Sequence, residues 1–156
     1  MQIKILWVGK TKNLPIRELL ADYLERLRHL VPIEIVEVRD LSKGRGLQGA
    51  RLKDAEGGEL RRFLPPQSRV VALDERGRQF SSTEFAKWFS SEQDMGTREI
   101  CFVIGGPDGV SETIFKIAHL KLSLGKMTWT HEICRVLLVE QVYRAFTILR
   151  NIPYHK

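Results

Sequence analysis

The stretch "EICFVIGGPDGV", Glu99 to Val110, decides how the rest of the chain is read. From Glu99 to Ile104 the residues are almost continuously apolar. A strand with one wet face alternates apolar and polar residues, whereas a strand covered on both faces does not, so this run predicts a central strand of a parallel sheet. It breaks off in two glycines, a proline and a third glycine, which leave the backbone bare where a ligand could come into contact. In open α/β sheets ligands sit beyond the carboxyl ends of the strands. The turn is therefore a candidate site, with a plain tight turn as the alternative reading.

Outward from this strand the chain alternates strand and helix. "QIKILWV" (Gln2 to Val8) reads as a strand, and Asn13 is placed to cap a helix in which Ile16, Leu19, Leu20, Tyr23, Leu24, Leu27 and Val31 recur at helical spacing. "IEIVEV" (Ile33 to Val38) alternates apolar and acidic residues, as a strand near a sheet edge does. A glycine-rich basic loop, "RDLSKGRGLQG", leads to a helix over roughly Ala50 to Leu64, ended by "PPQ". "RVVAL" (Arg69 to Leu73) is a strand followed by a turn at "DERG", and Ser81 with Glu84 has the spacing of a capping box for a short helix. After "GGPDG", Ser111 can cap a brief helix, "HLKLSL" gives a last strand, and a long helix runs from about Thr130 to Leu149. The order predicts one α/β domain spanning residues 1–156, with a mainly parallel five-stranded sheet flanked by helices. Three loops become suspects: those after Leu73, after Ile104 and after Leu124.

Composition narrows the function. With 43% hydrophobic and 28% charged residues in 156, the chain is neither disordered nor a disulfide scaffold. No apolar run approaches the ~20 residues of a membrane span, and the N-terminus reads as a strand rather than a signal peptide, so the expected location is cytoplasmic. Cys101 and Cys134 lie in apolar surroundings and are expected to be buried, reduced thiols. Of the formal charge of +6, a net +5 falls from Lys116 onward, where seven cations face only Glu132 and Glu140. A field concentrated in this way suggests a polyanion, with nucleic acid ahead of membrane.

The last helix carries two apolar sides. Cys134, Leu138, Val142, Ala145 and Leu149 form a core-facing stripe, while Ile133, Leu137 and Ile148 lie elsewhere among Glu140, Gln141 and Arg144. Two sides need two partners, which predicts a homodimer built on this helix.

Three motif matches fail on context. Gly44, Gly46 and Gly49 spell G-x-G-x-x-G but do not form an immediate strand-to-helix turn. "HEICR" begins like a zinc helix, yet Arg135 stands where the second histidine belongs. No metal site is expected. "LLVEQVYRAF" is explained by core packing, with Glu140 and Arg144 as an i,i+4 pair. By contrast, "LSLGKMTWTHE" gathers glycine, thioether, hydroxyl and indole after a strand, which suits a flat amphipathic ligand.

Taken together, "LDERGRQFSS", "FVIGGPDGV", "LSLGKMTWTHEICRVLLVEQVYRAF" and the terminal "PYHK" resemble the RlmH-type methyltransferases of the SPOUT superfamily, over essentially the whole chain. The resemblance implies a homodimer with a C-terminal trefoil knot, S-adenosyl-L-methionine in the knot loops, and methylation of N3 of a pseudouridine in large-subunit (23S) ribosomal RNA. Carried over by position, it places the cofactor against Leu73, Gly105, Leu124, Gly125, Lys126, Met127, Thr128 and Trp129. Gly125 and Thr130 depart from the serine and proline usual in that family.

Methylation at N3 requires a base for the imide proton. Tyr154, His155, Glu140 and His131 are the candidates, with Tyr154 and Glu140 favoured by the resemblance. His131, Arg135, Arg144 and Lys156 are expected to bind RNA. The "PYHK" end, Pro153 to Lys156, reads as an active-site segment acting across the dimer. Two other readings are a non-catalytic RNA-binding α/β module and a nucleotide-dependent oxidoreductase using Gly44.

Overall fold

The fold was analysed in a computed structural model, which describes residues 1–42 and 46–154. Five strands, β1 (Gln2–Val8), β2 (Ile33–Val38), β3 (Arg69–Arg78), β4 (Glu99–Ile104) and β5 (Leu120–Leu122), form one sheet in the order β2-β1-β4-β3-β5. Every neighbouring pair is parallel. The apolar run Glu99–Ile104 occupies the centre, and the alternating strand Ile33–Val38 is an edge, as their patterns require.

Side chains on successive strand residues point to opposite faces, and each face has its own core. Ile3, Ile5 and Trp7 of β1 and Ile100, Phe102 and Ile104 of β4 pack under α1 (Leu14–Arg28), α3 (Ser82–Asp94) and α5 (His131–Leu149). Leu6, Val8, Cys101 and Val103 pack under α2 (Gly49–Arg62) and α4 (Glu112–Phe115). Phe89 ties three elements together, with its ring centroid 6.1 Å from Phe102 and 5.1 Å from Phe146.

The helices start where their caps dictate. Asn13 Oδ1 accepts the Ile16 N–H at 3.1 Å, and Ser81 and Glu84 close a reciprocal capping box. Ser111 and Thr130 cap α4 and α5.

Two strand boundaries differ from expectation. "DERG" is not a turn, because β3 continues to Arg78 through a register shift and pairs a second time with Leu122. β5 is shorter than "HLKLSL": the Ser123 N–H still donates to Arg78 O at 2.9 Å, but the Ser123 Oγ donates to Gly125 O at 2.8 Å and accepts the Gly125 N–H at 3.2 Å, which turns the chain away beyond it.

In α5 the stripe at Leu138, Val142 and Ala145 is fully buried, while Cys134 and Leu149 are only partly so. Both cysteines are free thiols, and Cys134 is half-buried rather than sealed in the core. Among the described residues, no helix is long and apolar enough to cross a membrane, and no group of His, Cys, Asp and Glu is placed to hold a metal ion.

Candidate active site: three strand ends and a C-terminal tail

The loops after β3, β4 and β5 converge on one cleft of about 800 Å³ at the carboxyl end of the sheet. Its walls include Leu73 and Glu75 from β3, Gly105 to Val110 after β4, and Leu124, Gly125 and Met127 to His131 after β5. The three sequence suspects therefore form a single site. Its size falls within the range of small-molecule pockets, roughly 300–1,000 Å³.

The chemistry of the walls is mostly backbone and apolar side chain. Gly105 has no room for a side chain, since a Cβ there would lie 2.2 Å from the carbonyl carbon of Gly109. Gly106 and Gly109 pair across the turn, which keeps the backbone of "GGPDG" against the cleft. Gly125 adopts φ +135°, a conformation that side chains resist, so glycine suits the position. Thr128 Oγ1 donates to Glu75 Oε2 at 2.9 Å and links the third loop to the first. Met127 and Trp129 are 71% and 40% exposed and present thioether and indole as apolar walls open to solvent. Bare backbone amides with an apolar slot fit an adenosyl group. Lys126, expected among these contacts, is exposed and stands outside the cleft wall.

His131 opens α5 and lines the cleft. Burial, and then the charge of Arg135, push its pKa below the ordinary imidazole value, so its ring is neutral at physiological pH.

Arg135 corrects the sequence reading. Expected at RNA phosphates, it is fully buried (0% exposed). Its guanidinium donates to Thr11 Oγ1 at 2.8 Å and to the Val8 carbonyl at 2.7 Å, with Cζ 5.0 Å from the Trp7 ring. Glu132 completes the tie by accepting the N–H groups of Lys12 and Asn13 at 2.8 and 3.2 Å. Arg135 thus pins the β1–α1 connection to the start of α5 and is out of reach of phosphates.

The other expected catalytic groups collect along the same helix. Tyr154 Oη lies 3.1 Å from Glu140 Oε1 and 3.1 Å from Tyr23 Oη. Arg144 donates to Glu140 at 2.6 and 2.9 Å, and its Cζ lies 4.8 Å from the Tyr154 ring centre. Burial and the bonds to Tyr23 and Glu140 raise the Tyr154 pKa, so it is held as a phenol. Glu140 is nine residues beyond His131, about 13 Å along a helix. Tyr154 is therefore docked away from the start of its own protomer's cleft. His155 and Lys156 lie outside the described residues, as does Gly44.

Residues that sequence reasoning missed are Glu75, Tyr23 and Cys134 as site neighbours. Capping and periodicity carry no information about contacts between segments so far apart.

This architecture, a parallel α/β sheet whose last three strand ends form a glycine-lined cleft, defines a class. A family model described as "Predicted SPOUT methyltransferase" matches residues 1–155, and the chain belongs to the SPOUT methyltransferase family. Among individual relatives, it is 43% identical over 155 residues to a protein of Pelobacter propionicus named ribosomal RNA large subunit methyltransferase H. It is 42% identical over 155 residues to the protein of that name from Geotalea daltonii, and 41% to that from Porphyromonas gingivalis. Each alignment covers 99% of both chains.

Proposed function

We propose that the protein is a cytoplasmic, S-adenosyl-L-methionine-dependent methyltransferase that acts as a homodimer on N3 of a pseudouridine in large-subunit (23S) ribosomal RNA. The observation that carries this reading is the convergence of Leu73, Gly105 and the Leu124–Trp129 loop on one cleft, in a chain whose full-length relatives are named for ribosomal RNA methylation. A C-terminal trefoil knot belongs to the same reading.

When bound, the cofactor supplies an electrophilic methyl carbon on a sulfonium. The backbone around Gly105 and Gly125 would hold it, with Leu73, Met127 and Trp129 as apolar walls. What remains for the protein is to align the target nitrogen and accept its proton. Alignment can supply ~7–11 kcal/mol and a base typically ~10²–10⁴ in rate, so positioning is the larger contribution. Tyr154, held as a phenol, serves as a hydrogen-bond donor that orients its neighbours rather than as the base. His131 has a free ring lone pair at neutral pH, lines the cleft, and takes the proton.

The dimer supplies what one protomer lacks. Leu14 and Ile133, 51% and 37% exposed, flank the Lys12–Glu132 tie beside exposed Trp129 at the cleft mouth. This apolar junction is a contact for a second copy, whose Tyr154–Lys156 tail then reaches the cleft. Arg144 and Lys156 would meet RNA phosphates, with strong salt dependence.

Calorimetry with S-adenosyl-L-methionine separates this from a non-catalytic RNA-binding module. The enzyme should show saturable heat, and a pure RNA binder none.

A further inference from the structure

One buried group is used by neither the cleft chemistry nor the tail. Glu56, on α2, is 3% exposed, and its Oε1 has no hydrogen-bond partner among the described residues. A glutamate this deeply buried with no salt bridge among the described residues is uncommon. Its other surroundings are specific. The Leu41 N–H faces the carboxylate from the β2–α2 connection. Gly106 also stands against the carboxylate, and a Cβ there would lie 2.8 Å from Glu56 Oε2. The next residue, Gly57, is equally tight, since a Cβ there would lie 2.0 Å from Ser111 Oγ at the far end of the same turn. Helix α2 therefore presses the Glu56–Gly57 pair directly onto the back of the Gly105–Val110 turn, whose front lines the cleft.

We propose that Glu56 is a positioning residue for the methyl-donor cleft: set against Leu41 and Gly106, its side chain sets the seat of the Gly105–Val110 turn. The inference rests on the donor-cleft reading above and adds a residue that never touches the donor. Among the described residues, the charged groups set against Glu56 are Asp40 in the β2–α2 connection and Asp108 in the turn; on its own helix Lys53 lies three residues earlier and Glu59 three later, and Glu112 opens α4. Burial first, then Asp40 and Asp108, push the Glu56 carboxyl up to about 7. Below that pH the neutral acid fits its seat beside Leu41 and Gly106; above it a carboxylate with two acidic neighbours pushes the turn away. Donor affinity should accordingly fall as pH rises through neutrality.

The test uses S-adenosylhomocysteine, which lacks the sulfonium charge, so that direct attraction to a carboxylate does not mask the effect. Its Kd is measured by calorimetry on the full chain between pH 5.5 and 8.5 for wild type, Glu56→Gln and Glu56→Ala. Wild type should weaken at least threefold with a midpoint near 7. Glu56→Gln, of the same shape but unable to ionise, should bind with no step there, at an affinity near the acid-side value of wild type. Glu56→Ala should bind at least tenfold more weakly at every pH. A wild-type profile without a step, or a step that persists in Glu56→Gln, overturns the proposal, the latter assigning the titration to another group such as His131. Wild type that binds no S-adenosylhomocysteine at any pH overturns instead the donor cleft on which it rests. If Glu56→Ala does not fold, the wild-type and Glu56→Gln profiles alone decide.

Discussion

Tyr154 donates its hydroxyl proton to Glu140 across 3.1 Å, joining the end of the chain to the middle of its last helix. Tyr23 from α1 shares that hydroxyl, and the Tyr143 ring meets Tyr154 edge-on with centroids 4.8 Å apart. Tyr154 is thus seated on its own subunit by polar and aromatic contacts.

Removing Tyr154 to Lys156 should abolish methyl transfer while donor binding by calorimetry stays within about twofold of wild type, because among the described residues none beyond Cys134 lines the cleft. Tyr154→Phe alone should cost about 1 kcal/mol in denaturant unfolding, a typical net value for one hydrogen bond.

Gly105→Ala should remove donor binding altogether. The added methyl would stand 2.2 Å from Gly109 backbone, which cannot rotate aside as a side-chain tip can. Overpacking of this kind typically costs ~1–3 kcal/mol, so thermal unfolding should show a folded but less stable protein.

Arg135→Lys tests whether this cation is structural. A single ammonium cannot reproduce a fork that donates to both Val8 O and Thr11 Oγ1, and a loss of about 2 kcal/mol is expected from unsatisfied buried partners. The salt dependence of RNA binding should not change. A shallower salt slope would restore Arg135 to the phosphate-binding set.

How much of this was legible in the sequence varies with distance along the chain. The central strand, the edge strand and the caps at Asn13, Ser81 and Ser111 rest on local patterns and followed from them. The three loops were nominated because strand ends in parallel sheets share one edge, a rule that needs only element order. Arg135 was misread because basic residues usually face water, and only the packing of α5 against β1 reveals that its partners are a carbonyl and a hydroxyl more than a hundred residues earlier. Glu56 gave no signal at all; its burial is created by the turn that α2 happens to cover.

Stability should record Glu56 through pH. Its folded-state pKa of about 7 exceeds the ordinary 4.5, so the folded protein holds a proton that the unfolded chain has lost between those values. Stability therefore declines as pH rises from 4.5 to 7, by about 3 kcal/mol for a shift of this size, and is flat above. Glu84 and Glu132 have lowered values, so their contribution is present above the ordinary carboxylate pKa and lost on acidification below it. Urea unfolding of Glu56→Gln across this range should lack the decline and exceed wild type at pH 8.

His131→Ala should lower kcat by ~10²–10⁴, the usual contribution of a general base, with donor Kd little changed. In the wild type, kcat should fall on acidification below the ordinary imidazole range, since only the neutral ring accepts a proton and its pKa is pressed down.

The central claim is the reaction itself, and one measurement addresses it most directly. Ribosomes from cells lacking the gene are incubated with the purified protein and methyl-labelled S-adenosyl-L-methionine, and the labelled nucleoside from 23S rRNA is identified by mass spectrometry. The account predicts label in a single nucleoside, N3-methylpseudouridine, and none with the tail-deleted chain. Label on another nucleoside, or none from a wild-type protein that binds the donor, would contradict it.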